Sequence, residues 1–481
     1  MNARRGERLI VVHGHAYQPP REDPWSGEVP LEASAAPFHD WNERILTECY
    51  APNTHARVLD ATGAVVGERN NYEHVSFDLA PTLARWLRAT APTVHDAIVA
   101  ADRAGHARVG HGPAIAHPWS HAILPLATAA ERDLLVAWGV ADFVARFGRR
   151  PEGMWLPETA VDLATLETLA AHRIAFTILA PHQLALVRSG PDEPWSSDID
   201  HDLPYRIALP SGATMIVLTY DGALSTAIAF DGLLHDGRDL AARLVSVAES
   251  ARAVVAAATD FETYGHHHRF GEMALAATFD VIAATPGVRL ATAAEAALTI
   301  APHEALLAER TAWSCAHGIE RWRSDCSCRM DPNAGDQQWR TPLRRGLDWL
   351  RDTIMQLPEL ASDLADPSQA RSRWVDVLVD PTAIGAFDAA FVTGTPDRAH
   401  AWLALQEHLL MMMSSCGWFF DDAAGLETRI VLRHAARAIE LVRALDGPDL
   451  EAGLVEHLGA MRSQARPDLD DGTAIWRAAT A

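Results

Sequence analysis

The sequence predicts an α/β fold with a parallel, barrel-like sheet in the first three hundred residues and a helical part after it. Short apolar runs of high strand propensity alternate with helical stretches, which is typical of a parallel sheet. Polar side chains directly follow the ends of these strands, where barrel enzymes build their sites. After about residue 300 the strand-like runs fade, so we predict domains at residues 1–300 and 301–481.

Most of the predicted strands end at side chains capable of chemistry. In chain order they are 9–12 before His13 and His15, a run around Val109 before His111, 153–156 before Glu158, 174–179 before His182, 215–219 before Tyr220 and Asp221, 254–258 before Asp260, and 288–290. This repeated placement, more than any single motif, indicates a site at the carboxyl ends of the strands.

The predicted helices are rich in Ala, Leu and Arg. Between the strands they are 79–89, 128–147, 239–251 and 271–284. Later amphipathic stretches at 343–356, 399–413 and 427–445 predict an α-helical C-terminal domain.

Composition restricts the class of partner. The chain has 481 residues, too many for one ordinary core, and a formal net charge of -22. Nucleic acids and anionic membrane surfaces are held by clustered Lys and Arg, so neither is an expected partner. A neutral substrate fits this charge better. Fifteen tryptophans against six tyrosines suit sugar rings, although buried Trp is commonly part of a core.

The first apolar run and the cysteines bear on location. Residues 9–12 are far too few for a signal-peptide core or a membrane span, so we expect a cytoplasmic protein. Five cysteines are an odd number that does not suggest a disulfide framework. We therefore expect reduced thiols.

The segment HGHAYQPP, residues 13–20, places His13, His15 and Gln18 at the end of the first strand. Alternation along an extended chain puts both histidines on one side, and the two prolines hold the following loop extended. The functional interpretation is a polar wall that hydrogen-bonds sugar hydroxyls or binds a metal. The structural alternative is a pair of histidines satisfied by backbone groups at a strand end.

The segment GMWLPE, residues 153–158, ends a strand with Glu158 behind Trp155 and a proline. A carboxylate on such a rigid, partly apolar platform is suited to act as a nucleophile. The structural alternative is that Glu158 only favours the first turn of the following helix.

The segment ATDFETYGHHHRFGE, residues 258–272, is the densest polar cluster in the chain. Asp260, Glu262, His266 and His267 follow a strand of Ala and Val. Adjacent histidines after a buried strand favour a functional site, and the alternative is a solvated loop.

Two further stretches combine aromatic rings and imidazoles, at 111–126 and 313–328. The second also offers Cys315, His317, Cys326 and Cys328 as a zinc site, but their spacing matches none of the usual finger patterns. Added to the residues above, the predicted substrate-binding set then includes Trp25, His117, Trp119, His121, Trp313, Arg321 and Trp339.

These motifs together resemble glycoside hydrolase family 57, the family of α-amylases, 4-α-glucanotransferases and branching enzymes. The resemblance covers most of residues 8–300. HGHAYQPP is similar to the opening His-Gln-Pro element, with Tyr17 where the family has a histidine. GMWLPE resembles the nucleophile element, and ATDFETYG resembles the acid/base element, with Phe261 where many relatives have glycine. We expect Phe261 to change the shape of the substrate site.

The resemblance implies a distorted (β/α)7 barrel followed by a helical domain. It also implies a retaining hydrolase or transglycosylase that acts on α-glucan-like oligosaccharides or polysaccharides, without cofactor or metal. Glu158 would be the nucleophile and Asp260 the general acid/base in a double displacement. Their oxygens would lie roughly 5 to 5.5 Å apart, against roughly 6.5 to 9.5 Å for an inverting pair.

Two other functions stay open from the residues alone. One is a metal-dependent polysaccharide deacetylase, with His13, His15, Asp260 and one histidine of 266–268 as ligands around an open site. The other is a catalytically weak relative that binds carbohydrate. The sequence does not indicate an oligomeric state.

Overall fold

The chain divides into two units, each assembled from separate stretches. The structure is a computed structural model that describes residues 7–60 and 62–481. The first unit contains Leu31–His117, Arg146–Glu309 and the described residues before Pro19. The second contains Pro19–Pro30, Pro118–Ala145 and Arg310–Ala481. The predicted boundary at residue 300 lies close to the last of these breaks, and the two earlier segments of the second unit have no distinct composition.

The strands lie in the first unit. They are β1 Arg8–Ala16, β2 Ala56–Leu59, β3 Val65–Arg69, β4 Ser76–Leu79, β5 Ala114–Ile115, β6 Phe176–Leu179, β7 Leu184–Arg188, β8 Tyr205–Ala208, β9 Thr214–Thr219, β10 Val254–Asp260, β11 Val288–Leu290 and β12 His303–Leu307. β1 is buried along almost its whole length, as expected of a strand covered on both faces of a parallel sheet.

Seven parallel segments follow one another around a barrel. β10, β1, β4 and β5 are hydrogen-bonded side by side. Ala116 then pairs with Met154, and Gly153 pairs with Phe176 at the start of β6. β6 pairs with β9, and the backbone N–H of Asp221 after β9 donates to Ala256 O of β10 at 2.8 Å. The (β/α)7 barrel is therefore the architecture of this unit.

A second sheet extends from the barrel wall. Its order is β6, β9, β8, β12, β7, with antiparallel pairing of β9 with β8 and of β12 with β7. β2 and β3 form a separate antiparallel hairpin. Strands β7, β8 and β12 were not predicted, and each of them is only partly buried.

The helices of the first unit cover the strands. They are α1 Trp41–Ile45, α2 Ala51–Thr54, α3 Pro81–Thr90, α4 Pro92–Val109, α6 Leu163–Ala171, α7 Gly222–Ala229, α8 Gly237–Ser250, α9 Gly271–Ala284 and α10 Ala293–Thr299, while α5 Ala129–Phe147 begins in the second unit. Side-chain N-caps begin several of them: Asp162 for α6, Asp221 for α7 and Thr292 for α10.

The second unit is helical after residue 310. Its helices are α11 Arg340–Met355, α12 Pro367–Val379, α13 Ile384–Phe391, α14 Pro396–Met411, α15 Cys416–Phe419, α16 Leu426–Ala444, α17 Glu451–Leu458 and α18 Gly472–Thr480. α16 lies against α14, α15 and α18, and α11 lies against α17. The predicted helices at 343–356, 399–413 and 427–445 correspond to α11, α14 and α16.

The predicted strand around Val109 is wrong. Val109 is the last residue of α4, which ends at Gly110 in the left-handed conformation, with φ of 81°. The strand that fills this place in the barrel is β5 at Ala114–Ile115. The short run around Val109 was interpreted as a strand, whereas it ends a helix whose C-cap is Gly110.

None of the helices in the described part of the chain has the length and apolar character needed to cross a bilayer.

Candidate active site

Strand register aligns three ionisable residues at the carboxyl end of the barrel. In β1, His15 pairs with Asp260 of β10 on one side and with Asp78 of β4 on the other. Neighbouring strands in a sheet lie about 4.8 Å apart, so the three residues form a row across the sheet. His13 lies two residues earlier on β1, in line with Ser76 and Ala258.

Asp78 is the common partner of the two histidines. Its Oδ2 lies 2.8 Å from His15 Nδ1, and its Oδ1 lies 3.3 Å from His13 Nε2. Burial raises the pKa of Asp78, but the charge of His15 and the contacts with both histidines lower it to about 2. Burial alone would lower the pKa of His15. The charge and hydrogen bond of Asp78, together with the charges of Asp260 and Glu262, outweigh burial and raise the pKa of His15 to about 9. His15 is therefore an imidazolium at neutral pH.

Aromatic rings stack around these histidines. Trp155 is fully buried, with its ring 4.7 Å from that of His13 and 5.4 Å from that of His15. On its other side His15 stacks with His117 at 5.6 Å and with Tyr17 at 5.9 Å. The stack fixes the orientation of the His15 ring, on which the contact with Asp78 depends.

Glu158 lies in a strained turn after the 153–156 segment. Glu158 has φ of 56° and ψ of 21°, and Thr159 has φ of 49°. Two successive non-glycine residues in the left-handed region each cost about 1–2 kcal/mol, and such strain is found where a site demands it. The alternative that Glu158 only begins a helix does not fit, because α6 begins later, at the N-cap Asp162.

The side chain of Gln183 holds this turn. Its Nε2 donates to Thr159 O at 2.8 Å, and its Oε1 accepts from the Thr159 hydroxyl and from the Ala180 N–H, each at 2.9 Å. Gln183 is fully buried. Buried hydrogen bonds of this kind are costly to lose, so they compensate for the strain at residues 158 and 159.

Of the three residues in the row, Asp260 is the one exposed to solvent. Protein atoms nevertheless lie close around its carboxyl group. Burial raises the pKa of Asp260, the His15 charge lowers it, and the charges of Glu158 and Asp78 raise it, to about 6. Glu158 therefore acts electrostatically on Asp260. A ligand that enters from solvent can reach a carboxyl group that keeps its proton to a higher pH than an ordinary aspartate does.

Glu262 is a third carboxyl group in the same cluster. Burial and the charge of Asp260 raise the pKa of Glu262 to about 7, while the hydrogen bond from Tyr50 lowers it. The Tyr50 hydroxyl donates to Glu262 Oε1 and accepts from Gln18 Nε2 at 3.4 Å. Gln18 and Glu262 are thus joined through a tyrosine that the sequence did not single out.

Phe261 packs beneath Asp260. Its ring is fully buried and parallel to Tyr72, with 4.7 Å between centroids. A Cβ on Gly14 would lie 2.4 Å from Phe261 Cδ2. We therefore assign Phe261 to core packing, and correct the expectation that it changes the shape of the substrate site.

Four other predicted residues of this unit have protein partners. Asp221 caps α7 through Leu224 N at 3.0 Å and contacts His201 Nε2 at 3.2 Å. Tyr220 is buried and His267 is exposed. His266 Nδ1 contacts the Glu48 carboxylate. These contacts account for Asp221 and His266 without a ligand, and their substrate contacts stay predictions.

Six predicted residues belong to the second unit. Trp119 is fully buried with its ring edge-on to Trp138, and His121 Nδ1 lies 2.6 Å from Ser415 Oγ. Trp25 is 43% exposed and donates its indole N–H to Glu440. Burial of Trp119 and His121 is explained by packing inside this unit.

The other three follow residue 310. Arg321 is buried and donates to Phe419 O at 2.6 and 3.1 Å. Trp339 is buried with its N–H on Gln337 Oε1 at 3.2 Å, and Trp313 is partly exposed. The contacts of Arg321 and Trp339 are structural, and a substrate role for all six residues of this unit stays a prediction.

The ligand set of the deacetylase alternative does not come together. Among the described residues, the groups of His, Cys, Asp and Glu with ligand atoms within 4.8 Å of one another include neither His13 nor Asp260, nor any histidine of 266–268. Residues too far apart to share one ion cannot form the open metal site of that mechanism.

Sequence reasoning missed Asp78, Tyr50 and Gln183. Asp78 lies near the end of β4, in the segment SFDLAP, where Pro81 begins α3. The predicted helix at 79–89 started at the last residue of this strand, and the strand itself was not predicted. Tyr50 and Gln183 act through contacts with residues distant in the chain, and no local signal marks them.

Family comparison identifies two regions. Residues 108–306 match the model of glycosyl hydrolase family 57, and residues 336–481 match the Domain of unknown function (DUF3536). Comparison with curated protein sequences finds no match.

Solved structures share the fold at low sequence identity. An exo-type maltose-forming amylase from Pyrococcus sp. ST04 matches with TM-score 0.70 and 14% identity, over 98% of this chain and 88% of that one. A family 57 branching enzyme from Thermococcus kodakaraensis matches with 0.58 and 15%, over 93% of each chain. A 4-α-glucanotransferase from Thermococcus litoralis matches with 0.55 and 13%, over 91% of this chain and 60% of that one.

Proposed function

Because residues 108–306 match the model of glycosyl hydrolase family 57, we propose that this chain belongs to that family and cleaves or transfers α-glucan-like chains by a retaining double displacement. In this proposal Glu158 is the nucleophile and Asp260 is the general acid/base. The predicted cytoplasmic location is part of the proposal and is consistent with five cysteines that form no disulfide in the described part of the chain.

One observation carries the assignment of Asp260. Asp260 lies at the exposed end of β10, and its pKa is raised to about 6 by burial among protein atoms and by the charge of Glu158. A general acid works best when its pKa is near the operating pH. Two carboxyl groups whose environments separate their protonation states are what acid and nucleophile roles require.

The reaction divides into two displacements. In the first, Asp260 gives its proton to the glycosidic oxygen as Glu158 attacks the anomeric carbon and the leaving sugar departs with that proton. In the second, the Asp260 carboxylate takes a proton from water or a sugar hydroxyl, whose oxygen attacks the same carbon and frees Glu158. Each step conserves the proton, so no cofactor is needed.

Neighbouring groups prepare both residues. Gln183 fixes the backbone of Glu158 in the left-handed turn, which aims the carboxylate before substrate arrives. His15, held charged by Asp78, limits the rise in the pKa of Asp260. Glu262, with a pKa raised to about 7, is largely protonated when Asp260 first ionises, so the cluster avoids adjacent like charges.

The substrate class rests on the relatives. The matched structures are named as a maltose-forming amylase, a branching enzyme and a 4-α-glucanotransferase. We therefore propose maltooligosaccharides as first substrates. Products longer than the starting oligosaccharide would assign transfer, and shorter products alone would assign hydrolysis.

Covalent labelling tests the site directly. An α-glucose-configured cyclitol epoxide should esterify one carboxylate per chain, and peptide mapping should locate the label on Glu158. The Glu158→Gln variant should take up no label. The control is Glu152→Gln, which alters a half-buried carboxylate hydrogen-bonded to His111 at 2.7 Å, close to Glu158 in the chain.

Two outcomes would contradict the proposal. A label on Glu262, or on any carboxylate other than Glu158, would reassign the nucleophile. Cleavage of maltooligosaccharides with inverted anomeric configuration, followed by NMR, would exclude a glycosyl-enzyme intermediate.

A further inference from the structure

Three cysteines and a histidine after residue 310 come together in the second unit. They are carried by residues 312–329, named here the cysteine loop. Cys315 is buried, Cys326 and Cys328 are partly buried, and His317 is exposed. One ligand atom from each lies within 4.8 Å of all the others. The proposed catalytic cycle uses none of these side chains.

The distances match the edges of a tetrahedron. The sulfur of Cys315 lies 3.8 Å from that of Cys326 and 3.8 Å from that of Cys328. Cys328 Sγ lies 3.5 Å from His317 Nδ1. A zinc ion with Zn–S of about 2.3 Å and Zn–N of about 2.0 Å requires edges of about 3.8 Å between sulfurs and about 3.5 Å between sulfur and nitrogen. A disulfide would hold two sulfurs about 2 Å apart.

Backbone conformation directs these side chains toward one point. Ser327, between the two cysteines, has φ of 66°, and Gly318, after His317, has φ of 80°. A Cβ on Gly318 would lie 2.3 Å from Arg310 O, so only glycine fits there. A strained serine persists where its surroundings require that conformation.

Donors suited to thiolates surround the sulfurs. The backbone N–H groups of His317 and Arg321 hydrogen-bond to Cys315, and that of Cys328 hydrogen-bonds to Cys326. Metal-bound thiolates commonly receive such hydrogen bonds, which orient them and adjust their basicity.

A buried guanidinium next to the cluster lacks a sufficient counter-charge. Arg340 is completely buried, and Nη1 donates to Cys328 O at 2.8 Å. Its Nε and Nη2 have no hydrogen-bond partner among the described residues, and the Asp421 carboxylate is 3.9 Å from Nη2. An unpaired buried charge is costly. Three thiolates around a divalent ion leave one negative charge, which would neutralise that of Arg340.

We propose that Cys315, His317, Cys326 and Cys328 bind one zinc ion that fixes the cysteine loop against α11. All four positions of the tetrahedron are filled by protein, which is typical of a structural zinc site. The spacing Cys-x-His and Cys-x-Cys, separated by eight residues, explains why no usual finger pattern was matched in the sequence.

Metal analysis of the whole chain tests the proposal. The protein is produced with a tag that lacks histidine and is dialysed against zinc and then against metal-free buffer. Elemental analysis should find about one zinc per chain. Cys326→Ser and His317→Ala should each lose most of this zinc. Cys416→Ser is the matched control, since it removes a buried cysteine of the same unit that is outside the cluster, and it should keep the full zinc content.

Two measurements on the unmodified protein keep the test valid if the cysteine variants fail to fold. Cobalt(II) in place of zinc should give the visible d–d bands of a tetrahedral site and a thiolate-to-metal charge-transfer band. Titration with a mercurial should release the metal as three thiols react.

Arg340→Met should weaken zinc binding by about 10- to 100-fold in a chelator competition, as is usual when a residue that contacts the metal ligands is lost.

Three results would overturn the proposal. These are an unmodified chain that retains no zinc after dialysis, a Cys315–Cys326 disulfide in protein isolated under thiol-blocking conditions, and equal zinc contents in Cys326→Ser and Cys416→Ser.

Discussion

The side-chain amide of Gln183 donates a 2.8 Å hydrogen bond to the main-chain oxygen of Thr159. Thr159 and its neighbour Glu158 both have left-handed backbone conformations, with φ of 49° and 56°. Gln183 touches no reacting atom in the proposed mechanism, so its role is to position the nucleophile. A glutamine twenty-four positions away thus holds a turn that the residues of the turn do not favour by themselves.

Gln183→Ala should lower kcat by about 10- to 100-fold with little change in KM, because a displaced nucleophile loses rate more than binding. Loss of the buried hydrogen bonds should also lower the free energy of unfolding by about 1–3 kcal/mol. Steady-state kinetics on a maltooligosaccharide and denaturant unfolding measure the two effects.

The control is Gln337→Ala, which removes a fully buried glutamine of the second unit whose Nε2 donates to Gly335 O and Asp421 O. It should be destabilised to a similar degree with kcat unchanged. An equal loss of kcat in both variants would show a general effect of lower stability.

Glu158→Ala and Asp260→Ala should each lose at least about 10²-fold in activity on maltooligosaccharides. Azide should restore turnover in both variants, but with a different product in each. With an α-glycosyl fluoride, azide replaces the missing nucleophile in Glu158→Ala and should give the β-glycosyl azide. In Asp260→Ala it attacks the glycosyl-enzyme intermediate and should give the α-glycosyl azide. NMR of the products distinguishes the two anomers.

The same anomer from both variants would contradict the assignment of separate roles. Glu152→Ala provides the background reaction, since it should yield no azide product beyond that of the unmodified enzyme.

The alkaline limb of kcat/KM should follow the loss of the proton from Asp260, whose pKa is raised to about 6. Glu262→Gln replaces a carboxyl group that is largely protonated when Asp260 ionises, and it keeps an acceptor for Tyr50, so the limb should stay in place. His15→Gln removes a positive charge that lowers the pKa of Asp260, so the limb should move to higher pH.

A shift in His15→Gln without a shift in Glu262→Gln is the diagnostic result, because general loss of packing would move both limbs alike. Glu272→Gln changes a buried carboxylate on α9 that has no part in the proposed reaction, and its profile should match that of the unmodified enzyme. A limb that stays in place in both site variants would show that another group controls it.

Gly14→Ala should impair the acid/base residue through packing. The new methyl group meets Phe261 at 2.4 Å, and Phe261 cannot withdraw because Tyr72 lies parallel against it. Overpacking of this kind costs about 1–3 kcal/mol and should displace Asp260, the residue next to Phe261. Both kcat and stability should recover in the double variant Gly14→Ala with Phe261→Leu, and additive losses would refute the coupling.

Mainly buried strands were the part of the fold best predicted from sequence. β1, β6, β9 and β10 each contain an apolar run that was predicted as a strand, and the structure has all four. β4 has only two large apolar residues and is followed within two residues by α3, so the strand was not predicted and the helix was predicted to begin at residue 79. Asp78 was lost with it, although its pairing with His15 is central to the cluster.

The candidate site was predicted only as far as local motifs reach. Glu158 and Asp260 each follow a recognisable strand end. Gln183 binds a turn that is strained at residue 158, and the sequence does not mark this strain. Tyr50 binds Glu262, which is more than two hundred residues away in the chain, so this contact leaves no local pattern either. For the zinc site, the sequence offered the four candidate ligands but gave no sign of the turn at Ser327 that brings them together.

The discontinuous second unit also constrains how the protein is made. The indole N–H of Trp138 donates to Ser372 O, and His121 contacts Ser415, so residues 118–145 find these partners only after the ribosome has added a further few hundred residues. At about 5–20 residues per second, Trp138 waits roughly ten to fifty seconds with its apolar neighbours uncovered. This nascent segment is where a chaperone would be needed, and a gene truncated after codon 309 would leave it exposed permanently.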